Sequence, residues 1–171
     1  MSTTAYLLRA PAGVPGSLSR PDQSTVEPVT ITEYGDTGAP AAFGLACQID
    51  ATTGLLRVVA DPDTAAYGFL ARPYPALGGN DAGSQGLGQA VPPANGNVSV
   101  MVRGYMTVKL GGSTAAVKGG AVYVWSSADS GAHVQGQVEA ADPSGDGFVI
   151  ARSYFMGPAD ADGNVEIGFN I

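Results

Sequence analysis

The sequence has a single cysteine, Cys47, and a single histidine, His133, among 171 residues. One cysteine excludes an internal disulfide and a thiolate zinc cluster, and one histidine excludes HExxH and other paired-His metal sites. Charge is scarce as well, at 13% Asp, Glu, Lys and Arg against about 25% in ordinary globular domains. The 8 basic residues are outnumbered by 15 acidic ones, for a net charge of −7. Gripping nucleic acid requires clustered cations that neutralise phosphates, so no nucleic-acid partner is expected. No apolar run approaches the ~18 residues of a membrane helix, and no membrane partner is expected. Met1–Gly16 also lacks the charged and apolar regions of a secretory leader.

Stretches free of glycine and proline are short, because the chain holds 25 Gly and 12 Pro. Inside a helix Gly costs about 1 kcal/mol and Pro about 3, so long helices are excluded. The 44% of apolar residues fall instead in short β-branched and aromatic bursts between turn signals, which predicts strands. Expected strands are 3–8, 29–34, 43–49, 55–60, 67–72, 98–110, 121–126, 133–138, 148–155 and 165–170. Along Val98–Leu110, Val98, Val100, Val102, Met106, Val108 and Leu110 share one face and Ser99, Met101, Arg103, Tyr105, Thr107 and Lys109 the other. Gly104 interrupts the apolar face, as expected for a bulge, a bend or the close approach of another backbone. A long strand that bends there can serve two sheets. The expectation is one all-β domain, a sandwich or barrel.

Three segments differ in texture. Residues 1–28 carry Pro11, Pro15, Pro21 and Pro28 among Gly and Ser, and read as an extended N-terminal arm ahead of a single β domain over 29–171. Within that domain, 73–97 holds four prolines and six glycines and reads as a binding loop, since long structureless connections tend to be functional. Acidic turns at 50–54, 142–147 and 160–163 separate the remaining strands.

Chemistry is sparse. His133 has no nucleophile near it in sequence and is expected to be a polar strand residue. Cys47 lies inside the apolar Leu45–Ile49 strand, with no cation to draw it toward a thiolate, and is expected to be buried and inert. Asp160-Ala-Asp-Gly-Asn164 lacks the glycine and glutamate spacing of an EF-hand and reads as a hairpin turn. Gly83-Ser-Gln-Gly-Leu-Gly88 follows no strand and opens no helix, so it is no phosphate cradle. Asn97-Val-Ser99 is a formal glycosylation sequon without a leader. No carboxylate pair stands out, and no catalytic residue, metal or cofactor is expected.

Three stretches in order, Tyr67-Gly-Phe-Leu-Ala-Arg-Pro-Tyr-Pro75, Val102-Arg-Gly-Tyr-Met-Thr-Val-Lys-Leu110 and Val117-Lys-Gly-Gly-Ala-Val-Tyr-Val124, make the chain resemble tailed-bacteriophage structural cement proteins. The resemblance covers residues 67–152. It implies a non-enzymatic, jelly-roll-like subunit that binds the major capsid protein on the outer capsid surface, where capsomers meet. It also implies a homo-oligomer, a homodimer ahead of a trimer. Tyr and Arg are favoured interface anchors, so Arg72, Tyr74 and Leu77 at the loop entry and Arg9 and Arg20 in the arm are the candidate capsid contacts. Pro73 and Pro75 would stiffen that loop. An alternative is a carbohydrate- or receptor-binding β-sandwich on the virion, with Trp125 and Tyr123 on one strand face as a stacking platform. A hydrolase built on scattered aspartates ranks behind both.

Overall fold

A computed structural model describes residues 13–31, 38–60, 65–73, 91–93 and 96–171. Among these residues the chain forms nine strands and one short 3-10 turn, Pro21–Gln23. The strands are β1 Thr25–Ile31, β2 Ala46–Ile49, β3 Leu56–Val58, β4 Gly68–Ala71, β5 Gly96–Lys109, β6 Ala121–Trp125, β7 Val138–Glu139, β8 Gly147–Phe155 and β9 Asn164–Phe169. They follow the order β1-β3-β2-β4-β5-β9-β8-β6-β7, and β1 also pairs with β5. The first five strands in that order therefore close into a barrel, and the other four continue as a sheet from β5.

The 14-residue β5 belongs to both halves. Its first half pairs with β1 on Thr25↔Arg103 to Ile31↔Gly96 and with β4 on Phe69↔Met101. Its second half pairs with β9 from Gly104↔Phe169 to Lys109↔Asn164. The change of partner falls at Gly104, whose φ is +127° and where a Cβ would lie 2.6 Å from the Ser24 Cα. Only glycine combines that backbone with that approach. Gly104 thus marks both the bend and the close backbone anticipated for it.

Closing a barrel gives its strands two faces to bury. Inside lie Ile31, Cys47, Leu56, Leu70, Val98 and Val100, with Phe43 at one end. Ala46, Phe69, Ala71 and Met101 point the other way, into a second cluster with Val122, Val124, Ile150, Phe155, Val165, Ile167 and Phe169. All four residues of β4 are consequently buried, the unbroken apolar pattern of a strand covered on both faces. On β8 burial is interrupted: Ile150, Ser153 and Phe155 are buried, whereas Val149, Ala151 and Tyr154 face out.

The all-β expectation holds, and so does the barrel it allowed for, while two facing sheets of a jelly roll are not what the described residues form. Here the sheet is continuous and one end of it closes on itself. The expected strand 133–138 shrinks to the two residues of β7. Gly131 at φ +61° and Gly136 at φ +80° turn the chain where the sequence pattern suggested extension. The expected strand 3–8, and residues 74–90 and 94–95 of the expected loop, lie outside the described residues.

So do residues 1–12 of the expected arm. Its remainder lies on the body. Gly16 N–H donates to the Thr107 carbonyl (2.8 Å), Thr107 N–H to the Ser17 carbonyl (2.9 Å) and Ser19 N–H to the Tyr105 carbonyl (3.1 Å). Leu18 bridges Met106, and β1 carries the same course on to Gly96. Apart from the 3-10 turn Pro21–Gln23, residues 16–31 are thus extended but docked along β5. Proline spacing alone does not reveal this, because β5 supplies backbone partners that a Pro- and Gly-rich run can still use.

Candidate functional site

Of the five residues expected to contact a capsid, Arg20 and Arg72 lie within the described residues; Arg9, Tyr74 and Leu77 lie outside them. Arg20 lies within the docked segment, just before the 3-10 turn. Its Nε donates to Glu166 Oε1 at 3.1 Å and its Nη2 to Oε2 at 3.4 Å. The guanidinium lies 3.9 Å from the centre of the Tyr105 ring. Ser19 Oγ donates to the same carboxylate at 2.7 Å. With the Arg20 side chain 40% exposed, such a pair contributes about 0–1 kcal/mol. It pins the segment weakly to β5 and β9 and leaves part of the cation facing solvent.

Arg72 follows β4 directly. Its guanidinium lies 4.8 Å from the centre of the Phe43 ring, and its Nε donates to the Pro15 carbonyl at 3.2 Å. Burial pulls its pKa below the ordinary arginine value. Arg72 N–H also donates to the Gly16 carbonyl at 2.8 Å. Arg72 therefore ties the docked segment to the 41–45 loop, while Arg20 ties it to β9. The two candidate anchors occupy separate elements.

The structure assembles a group that sequence spacing did not expose. Trp125 at the end of β6 is 8% exposed and stacks on the His133 ring, with centroids 4.3 Å apart and planes at 20°. Its indole Nε1–H donates to the Ala128 carbonyl at 3.0 Å. His133 Nδ1 lies 2.5 Å from Oε1 of the buried Glu139. One face of the indole is thus taken by the chain's own imidazole, so Trp125 and the half-buried Tyr123 do not form an open sugar platform. His133 sits in a turn, not in the strand expected for it. An imidazole oriented by a carboxylate forms two thirds of a nucleophilic triad, but among the described residues it bonds to no hydroxyl or thiol. The one available sign was an acid, Glu139, directly after the core residue Val138.

The remaining sequence candidates are structural. Cys47 is fully buried in the barrel, its Sγ 3.5 Å from the Leu45 carbonyl. Burial pushes its thiol up to about 12, which removes the thiolate and the reactivity with it. Asp160 Oδ1 accepts the N–H groups of Asp162 (3.0 Å) and Asn164 (2.8 Å), as a turn aspartate does. Among the described residues, no three His, Cys, Asp or Glu side chains form a group that could hold a metal.

Comparison with known proteins adds what the geometry leaves open. The family model for the XM1 gp53 minor capsid protein matches residues 3–169. The fold is similar to a chain of the solved structure "The capsid of Myoviridae Phage XM1", with a TM-score of 0.69 at 17% identity, over 97% of this chain and 95% of that one. No curated protein matches the chain.

Proposed function

The chain belongs to the XM1 gp53 minor capsid protein family, and from that premise we propose that it is a structural cement of a tailed-phage capsid. It binds the major capsid protein on the outer surface and adds contacts across capsomer seams that would otherwise open. The observation that carries this reading is the extent of the family match, 3–169. It spans barrel, second sheet and docked segment alike, so the capsid role belongs to the whole chain and not to one appended piece. A double-cored β body and scarce titratable chemistry suit a load-bearing, non-enzymatic part.

A standard interface buries roughly 1,600 Å² and draws its affinity from a few anchors. Arg9, Arg20, Arg72, Tyr74 and Leu77 are the proposed anchors. A homodimer would engage two capsomers at once, and the high effective concentration of the second contact would turn modest affinities into avidity. The test adds purified protein to expanded, empty shells that lack it and follows shell disruption by scanning calorimetry. The disruption temperature is expected to rise by several degrees. An unchanged temperature at saturating protein overturns the proposal. Sedimentation of the free protein reads the oligomer, with a dimer expected.

A further inference from the structure

Where the 41–45 loop, the end of β4, the end of β5 and the 134–137 turn converge, they leave a groove of about 420 Å³. This lies within the range of roughly 300–1,000 Å³ that ligand sites occupy. Its floor is Phe43 and Leu45, each 6% exposed, and its rim carries Val91 at 58% and Val134 at 37% exposure. A smaller hollow of about 250 Å³ adjoins it, sharing Leu45 and Val134. Exposed valines beside a concave apolar floor are the texture of an interaction site.

The polar side chains make the groove selective. Arg72 and Lys109 stand in its wall, and none of its lining residues among those described is acidic, although the whole chain carries −7. The acid of the adjoining hollow, Asp129, accepts the Gln135 N–H at 2.8 Å. Arg72 is already partly stripped of water against Phe43, so a carboxylate arriving beside it gives up little competing hydration of the cation. The planar guanidinium suits a carboxylate fork. Lys109 Nζ donates to the Asp162 carbonyl, and an ammonium has three donors to give.

We propose that this groove is a docking site for an apolar chain segment bearing a carboxylate, supplied by the major capsid protein. The proposal deepens the cement reading and rests on it. Apolar side chains fill the floor over Phe43 and Leu45, and the carboxylate is held between Arg72 and Lys109. The two cations call for an anion, and the apolar floor selects a protein segment over a nucleic acid. A groove-to-groove contact with a second copy would set the same cations against each other.

The experiment measures binding of full-length protein to expanded empty shells by co-sedimentation. The variants are Val134→Glu, Lys109→Glu and, as a control, Val117→Glu, a residue 64% exposed outside the groove. All three sites are at the surface, and circular dichroism melting verifies each fold. Val134→Glu and Lys109→Glu are expected to weaken shell binding at least tenfold, with Val117→Glu unchanged. Wild-type binding that both groove variants retain overturns the groove and leaves the cement reading standing. Groove variants that alter self-association alone, with shell binding kept, likewise overturn it in favour of a second copy. Wild-type protein that does not bind shells overturns the cement reading and the groove with it.

Discussion

The barrel and the sheet that continues from it share β5 yet bury their residues by different means. Among the described residues, Ile31, Phe43, Cys47, Leu56, Leu70, Val98 and Val100 are the buried side chains of the barrel core. Among the same residues, the link between β1 and β3 that completes the circuit is the pair Ile31↔Leu56. The other half has no lumen. Its strands bury one face, and that face is completed by the outer side of the barrel through Ala46, Phe69, Ala71 and Met101. The barrel could be expected to stand alone geometrically, but its outward-facing Ala46, Phe69, Ala71 and Met101 are as apolar as its inner residues. Closure satisfies the backbone of the barrel, while packing against the second sheet satisfies its side chains. The halves are therefore expected to fold as one unit.

The strongest attack on that view is at the joint. Phe169 on β9 meets Phe69 on β4 edge-on, with centroids 5.2 Å apart and planes at 83°. Phe169→Ala is expected to cost roughly 3–5 kcal/mol, read by urea denaturation, with both halves still unfolding in one transition. Two separated transitions would show that the barrel holds without the sheet. A second attack is at the bend. Gly104→Ala places a Cβ against the Ser24 backbone at φ +127°, at an expected cost of roughly 1–3 kcal/mol. The loss should concentrate on the docked segment. Amide exchange at Thr107, which donates to Ser17, and at Tyr105, which donates to Ser24 Oγ, is expected to accelerate before the barrel amides do.

How much of this could be read from the sequence depends on which force decides each element. Strands β4, β5, β6, β8 and β9 were legible because apolar patterning and Gly/Pro punctuation set them locally. The position of Gly104 even announced the bend. Barrel closure was not legible, since it joins β1 both to β5 and, at Ile31↔Leu56, to β3, residues far apart in sequence, and no local pattern encodes pairing. Docking of residues 16–24 was hidden by composition: it runs on backbone hydrogen bonds, which every residue but proline can donate. The Trp125–His133–Glu139 group was hidden for another reason. Its members are eight and six positions apart, and only the turns at Gly131 and Gly136 bring them together. Of the five proposed anchors, sequence could name residue types but not surroundings. Arg20 and Arg72 prove to be bound to the body as well as placed at its surface.

The barrel interior offers a quieter test. Because burial raises the Cys47 thiol to about 12, native protein is expected to resist thiol reagents at pH 8 and to react fully in urea. The linkage has a definite sign. The thiol stays protonated when folded but ionises near its ordinary value when unfolded, so its contribution is whole below about pH 9 and declines as pH rises toward 12. Cys47→Ala should remove that alkaline decline, at a cost of about 1 kcal/mol for a methyl-sized void. Rapid labelling of native protein would mean that the barrel opens around Cys47 without global unfolding.

The smallest effect is expected at the turn between β2 and β3. Asp50 Oδ1 accepts the N–H groups of Thr52 and Thr53, each at 2.9 Å, and Arg57 Nη1 donates to Oδ2 at 3.1 Å. The Thr53 N–H, then the Thr52 N–H and Arg57, hold its carboxyl below the ordinary aspartate value. A depressed folded pKa stabilises above the unfolded value near 3.8 and loses that contribution as pH falls through the folded one. Asp50→Asn keeps an acceptor at Oδ1 but discards the charge. Its Tm should lie slightly below wild type at pH 6, and the two should converge below pH 3 in melts followed by circular dichroism. A gap that persists at low pH would mean that turn geometry, not the carboxylate charge, distinguishes the two chains. This turn joins two barrel strands, whereas the Asp160 turn leads into β9 of the sheet and its Oδ1 also accepts two backbone N–H groups. Asp160→Asn measured beside it asks whether the barrel half depends on its turn charges more than the sheet half does.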